Sequence, residues 1–131
     1  MQTIARSLLH SFAVILVAAC ASASVPVHNF SGVPIGAKTP PTLDAVGKAI
    51  IAAGATAGWQ MTQIKPGHII ATYKIRNHLA VVDVTYSTAT YDITFKSGDA
   101  GLKYDGQTIH ENYNKWVEDL EMLVRSHVSA L

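Results

Sequence analysis

The chain has 131 residues, 49% apolar and 15% charged, with ten Lys plus Arg against nine Asp plus Glu. That length accommodates one small domain and excludes two, and the composition excludes a disordered, highly charged chain. Near-neutral charge argues against nucleic acid as a partner, since phosphate binding needs clustered, unopposed cations; a single cysteine excludes a disulfide framework and a Cys-rich zinc site.

In chain order, Arg6 precedes a mostly apolar run from Leu8 to Ala19. About a dozen residues fall short of the ~20 that span a bilayer, so the run reads as the core of a secretory signal. Val17-Ala18-Ala19-Cys20 closes it and resembles a bacterial lipobox. Small residues there admit the peptidase, and the Cys20 thiol would carry a diacylglycerol. Ala21 follows where an Asp would suggest retention at the inner membrane, so the resemblance implies the periplasmic face of the outer membrane. Ala21-Ser22-Ala23 also satisfies an A-x-A cleavage rule, which would instead release a soluble periplasmic protein. Removal of residues 1–19 takes away Arg6 and no acid, leaving nine basic against nine acidic residues.

The chain thus divides into a signal peptide (1–19), a flexible tether (20–41) and a single domain (42–131). The tether rests on Pro26, Pro34, Pro40 and Pro41 with Gly32 and Gly36, and on the absence of apolar periodicity, although Phe30 and Val33 are able to dock. Thr42 is placed to cap a helix beginning at Leu43, with Asp44 in its first turn and Gly54 and Gly58 as its stop.

Four strands follow. Ile69, Ala71, Tyr73 and Ile75 alternate with polar residues; so do Tyr91, Ile93 and Phe95. His78, Ala80, Val82, Val84 and Tyr86 form the third period-two series. A turn at Asn77-His78 pairs Ile75 with Ala80, and one at Arg76-Asn77 keeps the same parity. A four-residue loop, Ser87 to Thr90, pairs Tyr86 with Tyr91, Val84 with Ile93 and Val82 with Phe95. The first strand, Trp59 to Lys65, fits less well. A Pro66-Gly67 turn pairs Ile64 with Ile69 and Thr62 with Ala71, which sends Trp59 and Met61 outward. A bulge near Gln63 returns them to the core; without one they join Ile70, Leu79 and Val81 in an outer apolar strip.

Thr108-Ile109-His110-Glu111 reads as a capping box opening a long amphipathic helix, with Ile109, Tyr113, Trp116, Val117, Leu120, Leu123, Val124 and Val128 as its apolar stripe. The expected fold is α+β: an N-terminal helix, a four-stranded antiparallel meander, and a long C-terminal helix packed on the sheet.

Gly58-Trp59, Pro66-Gly67, Ile70-Ala71-Thr72-Tyr73, Arg76, His78, Ala80 and Val82-Asp83-Val84 carry a resemblance. So do Leu102 to Gly106 and Ile109-His110-Glu111-Asn112-Tyr113-Asn114-Lys115-Trp116-Val117. With the lipobox, they resemble a family of small uncharacterised proteobacterial lipoproteins. That resemblance implies an envelope location and this fold, and no activity.

Candidate binding residues fall in two places. His110, Asn112 and Asn114 cluster at the start of the long helix, after Lys103, where free N–H groups favour an anion; the bland alternative is that they face water or pin a loop. Ile70, Leu79 and Val81 lie on the outer sheet face. His110-Glu111 is not H-E-x-x-H, because Asn114 stands where the second His belongs, so no metal or other cofactor is expected. Asp83 and Asp92 read as solvated strand charges, and Arg76, His78 and His68 as exposed turn residues. The aromatic set Tyr73, Tyr86, Tyr91, Phe95, Tyr113 and Trp116 reads as core, or as a ligand pocket between sheet and helix. The sequence holds no nucleophile elbow, cysteine nucleophile or phosphate loop. It therefore suggests a non-catalytic binding module held at the membrane by acyl chains on Cys20, with another envelope component as partner. A small-ligand carrier or sensor, or an inhibitor of the immunity type, stands as the alternative.

Overall fold

Alternating apolar residues and one long amphipathic helix give an α+β domain, seen here in a computed structural model that describes residues 13–15 and 23–131. Cys20 lies outside the described residues. The elements are β1 (Ser24–Pro26), β2 (Phe30–Pro34), α1 (Leu43–Thr56), β3 (Gln60–Lys65), β4 (His68–Ile75), β5 (His78–Tyr86), β6 (Thr90–Gly98), a 3₁₀ turn (Ala100–Leu102), β7 (Thr108–His110) and α2 (Glu111–Ser129). None of the described helices is long and apolar enough to cross a membrane.

The sheet is larger than a four-stranded meander. Five antiparallel strands run in the order β2-β6-β5-β4-β3, and β1 forms a separate two-stranded ribbon with β7. The segment expected as a tether supplies the additional edge strand and half of the ribbon. Phe30 and Val33 pair with Ile93 and Tyr91, and Ile35 is buried. Proline and glycine hid this strand, because an edge strand needs only one row of backbone donors. Its irregular stretch is held by side chains: the Asn29 Oδ1 accepts from Phe95 N at 2.9 Å, and Asp92 Oδ1 accepts from Gly32 N.

Thr42 caps α1 as expected, its hydroxyl accepting from Ala45 N at 3.1 Å. Gly54 lies inside α1 rather than ending it. A Cβ there would collide with the Met61 side chain, and one at Gly47 with the Tyr86 hydroxyl. Both glycines are therefore places where the sheet presses into the helix. Gly58, at φ 85°, supplies the reversal after α1.

The bulge in β3 is present: the register slips between Gln63 and Lys65, so Met61 faces Ala71 and Thr62 faces Ile70. Trp59 is buried and Met61 packs on the core. The expected pairs Ile64–Ile69 and Thr62–Ala71 do not form, and Ile64 is 53% exposed. Of the two turns that parity allows for the next hairpin, the chain uses Arg76-Asn77. Ile75 pairs with His78 and Tyr73 with Ala80, so the Ile75–Ala80 register is displaced by two residues with its parity kept. Arg76 takes φ 53° in this turn. The β5–β6 pairs Tyr86–Tyr91, Val84–Ile93 and Val82–Phe95 form as expected.

Thr108 does not cap α2. It lies in β7 and donates its hydroxyl to Asp105 Oδ2 at 2.9 Å; His110 is the cap, its Nδ1 accepting from Asn112 N at 3.1 Å. Pairing of Thr108 with Pro26 and of Ile109 with Val25 draws the expected cap, and the Ile109 expected on the helix stripe, into a strand, which is why the sequence signature misleads.

α1 and α2 lie against each other and share one core with the inward positions of the sheet. None of the outward positions Ile70, Thr72, Val81, Asp83, Thr85 and Thr94 is buried. Inside the core, Tyr91 donates its hydroxyl to Glu121 Oε1 at 2.7 Å. Arg125 reaches the same oxygen through Nε at 3.0 Å and Nη2 at 2.8 Å. Glu121 is only 5% exposed, so an acid in the middle of the apolar stripe is tolerated by two charge-assisted partners.

Candidate functional site

The sheet has two ends. The β3–β4 turn and the β5–β6 loop mark one, here the far end. The Arg76-Asn77 turn, the 3₁₀ turn and the start of α2 gather at the other, the near end. Here Ile75, Arg76, His78, Asn112 and Trp116 line a cleft of about 270 Å³.

Local rules place each of these side chains. Arg76 occupies the two-residue turn. His78 opens β5 in phase with Ala80, Val82 and Val84, so it faces inward where the sheet runs out. Asn112 and Trp116 are four residues apart and share one face of α2. Trp116 continues an aromatic row from the core: Trp59 stacks on Tyr73 at 5.0 Å between ring centroids, Tyr73 meets Trp116 at 5.4 Å, and Trp116 meets His78 at 5.9 Å.

The other side of His78 is fixed by Asp99, whose Oδ2 lies 3.2 Å from Nδ1. Asp99 also accepts from Leu79 N at 2.8 Å and from Gly101 N at 2.9 Å. Burial raises the Asp99 carboxyl, but the Leu79 N–H, the His78 ring and the Gly101 N–H outweigh it and hold the group below the usual carboxylate range. Asp99 is thus committed to the loop, and among the described residues Arg76 makes no ion pair. The cleft therefore offers a free guanidinium, an imidazole edge, an amide and an indole, a set that suits an anionic group attached to an apolar or planar body.

Two other hollows lack that chemistry. One, of about 230 Å³ at the far end, is lined by Gly67, Thr85, Tyr86, Ser87, Thr90, Tyr91 and Asp92, and its acid is taken by Gly32. Another, of about 150 Å³, is lined by Leu43, Asp44, Gln63, Pro66 and Tyr86, and Asp44 pairs with Lys48 at 2.9 Å.

The expected cluster at the start of α2 is only partly a site. Asn112 lines the cleft, whereas His110 is occupied as the cap. Asn114 is a clamp: its Nδ2 donates to the Pro26 carbonyl and its Oδ1 accepts from His28 N, both at 2.9 Å. His28 in turn meets Glu118 at 2.6 Å. Lys103 ends the 3₁₀ turn at φ 52° and does not line the cleft. Ile70, Leu79 and Val81 do share the outer face, each partly exposed. Beside them, Asp83 is engaged by His68 at 2.7 Å and Lys96 at 3.7 Å, so it is less solvated than expected.

From the sequence, Arg76 and His78 read first as exposed turn residues and Trp116 as core or pocket lining, and none of the three stood among the candidate binding residues; the structure brings them together. The available signal was that a histidine heads an inward-facing apolar series. As for the aromatic set, Tyr91, Phe95 and Tyr113 are core, with Phe95 edge-on to Tyr113 at 5.0 Å; only Trp116 reaches the cleft. No group of three or more His, Cys, Asp or Glu arranged to hold a metal occurs among the described residues. Comparison with family models, curated proteins and solved structures finds no match in any of the three.

Proposed function

We propose that this chain is a lipid-anchored, non-catalytic binding module of a bacterial envelope, held at the periplasmic face of the outer membrane through Cys20 and making its contact at the near end of the sheet. The lipobox-like Val17-Ala18-Ala19-Cys20 and the resemblance to small proteobacterial lipoproteins support the location. The observation that carries the binding role is the cleft, where Arg76 stands without an acid partner among the described residues beside His78, Asn112 and Trp116. A cation left free inside a concave, partly aromatic site is available to a ligand at no cost to a fold interaction.

A photo-crosslinking residue at Asn112, and another at Val81 on the outer face, test this in intact cells. The proposal expects a specific adduct from Asn112. Adducts from Val81 alone would move the contact to the outer sheet face, and no adduct from either would remove the binding role.

A further inference from the structure

We propose that the near end of the sheet rests on the bilayer that holds the anchor, and that the cleft takes the phosphate of a lipid headgroup. This rests on the acylation of Cys20 proposed above.

Reach carries the first half. Ala23 accepts a hydrogen bond from Glu111 N at 3.2 Å, so the chain leaves the domain beside the start of α2. Cys20 precedes Ala23 by three residues, and three residues extend at most ~11 Å. The headgroup layer of each leaflet is itself roughly 5–8 Å deep. An acylated Cys20 therefore leaves Ala23 within about one further residue layer of the headgroups. The far end is out of this range. β5 has nine residues, and at ~3.4 Å each it carries the Ser87–Thr90 loop ~30 Å from the Arg76-Asn77 turn.

The residues at the near end match that surface. Arg76 and Trp116 line the cleft, Tyr104, in the chain segment that follows the 3₁₀ turn, is 45% exposed, and Lys103 and Lys115 are exposed. Indole and phenol rings favour the bilayer interface, and each basic residue near an anionic leaflet adds about 1 kcal/mol of attraction. Of the acids at this end, Asp99 is tied to Leu79 and Gly101 and Asp105 to Gln107 and Thr108; Glu111, the first residue of α2, is outnumbered by Arg76, Lys103 and Lys115. Of the described concavities, the one with a free guanidinium is the one at the end the anchor reaches.

The experiment uses the full chain purified from bacterial membranes, its mass confirming acylation. It is reconstituted in vesicles of phosphatidylethanolamine and phosphatidylglycerol, with a paramagnetic chelate on a fraction of the headgroups. Cys20 is the sole cysteine and is blocked once acylated, so a nitroxide goes to Asn77→Cys or Lys103→Cys at the near end, and to Thr88→Cys at the far end. The expected result is several-fold faster relaxation at Asn77 and Lys103 with none at Thr88, and loss of most of that enhancement when Arg76→Gln is added. Equal relaxation at both ends, or an Arg76→Gln variant that behaves as the parent, in an acylated protein overturns the docking and leaves the anchor standing. A chain without acyl mass overturns both.

Discussion

The two ends of the sheet handle polar groups in opposite ways. At the far end, the buried Tyr91 and Glu121 satisfy each other, with Arg125 closing on Glu121 from the surface, and glycine at position 47 lets the Tyr86 hydroxyl approach α1. At the near end, the loop satisfies Asp99 while Arg76 has no ion-pair partner among the described residues and stands in an open cleft beside Trp116. Polar groups that close on each other specify and stabilise a core; a polar group left open in a concave site costs little stability and is free for recognition. The far end is therefore where substitution should cost stability, and the near end is where it should cost binding.

The largest effect is expected from Glu121→Ala. It strands the buried Tyr91 hydroxyl and leaves a cavity in the α2 stripe, so urea unfolding should show a loss of about 2–4 kcal/mol, with crosslinking from Asn112 retained in whatever fraction stays folded. Tyr91→Phe keeps the Glu121–Arg125 pair and removes one hydrogen bond to a charged group, an expected loss of about 1–3 kcal/mol. Equal cost for the two variants would mean that Arg125 contributes nothing at this site.

Alkaline titration sharpens the same contrast. Burial first, then the bond to Glu121, push the Tyr91 hydroxyl well above its ordinary value, and burial does the same for Tyr113. The folded state then keeps protons that the unfolded chain gives up, so the contribution of these two tyrosines to stability is constant below about pH 10 and falls as the pH rises past that value. Denaturation midpoints measured across that range should fall less steeply in Tyr91→Phe. Tyr113 offers a smaller test of opposite sign. Its hydroxyl is buried without a hydrogen-bond partner among the described residues, so Tyr113→Phe should be neutral or stabilising by up to ~1 kcal/mol. A clear loss of stability would reveal a partner for that hydroxyl.

The smallest stability change belongs to Arg76→Gln. An exposed turn side chain with no ion pair among the described residues should move the unfolding free energy by no more than ~0.5 kcal/mol, while the contact at the near end is lost. Should the variant unfold readily instead, Arg76 belongs to the fold, and the contrast between the ends disappears.

How much of this was legible in the sequence depends on what each element answers to. β4, β5, β6 and α2 follow from their own periodicity, because each buries one face against the same core. The bulge in β3 was legible as well, since Trp59 and Met61 would otherwise face outward. β2 was not. Its pairing relies on the distant side chains of Asn29 and Asp92 at positions where the backbone ladder fails, and no local pattern announces that. The cap of α2 misled because β1 claims Thr108 for a ribbon, a contact between segments more than eighty residues apart. The cleft was half legible. Asn112 was singled out, while Arg76 and His78 needed the hairpin register, and that register hung on a two-residue choice that hydrophobic parity cannot make.

The most direct measurement is the intact mass of the mature protein from a membrane fraction, beside a Cys20→Ala variant. The account predicts a mass equal to residues 20–131 plus acyl chains, with the acyl increment and membrane retention both lost in the variant. An unmodified chain starting near Ser24 and recovered in the soluble fraction would contradict it.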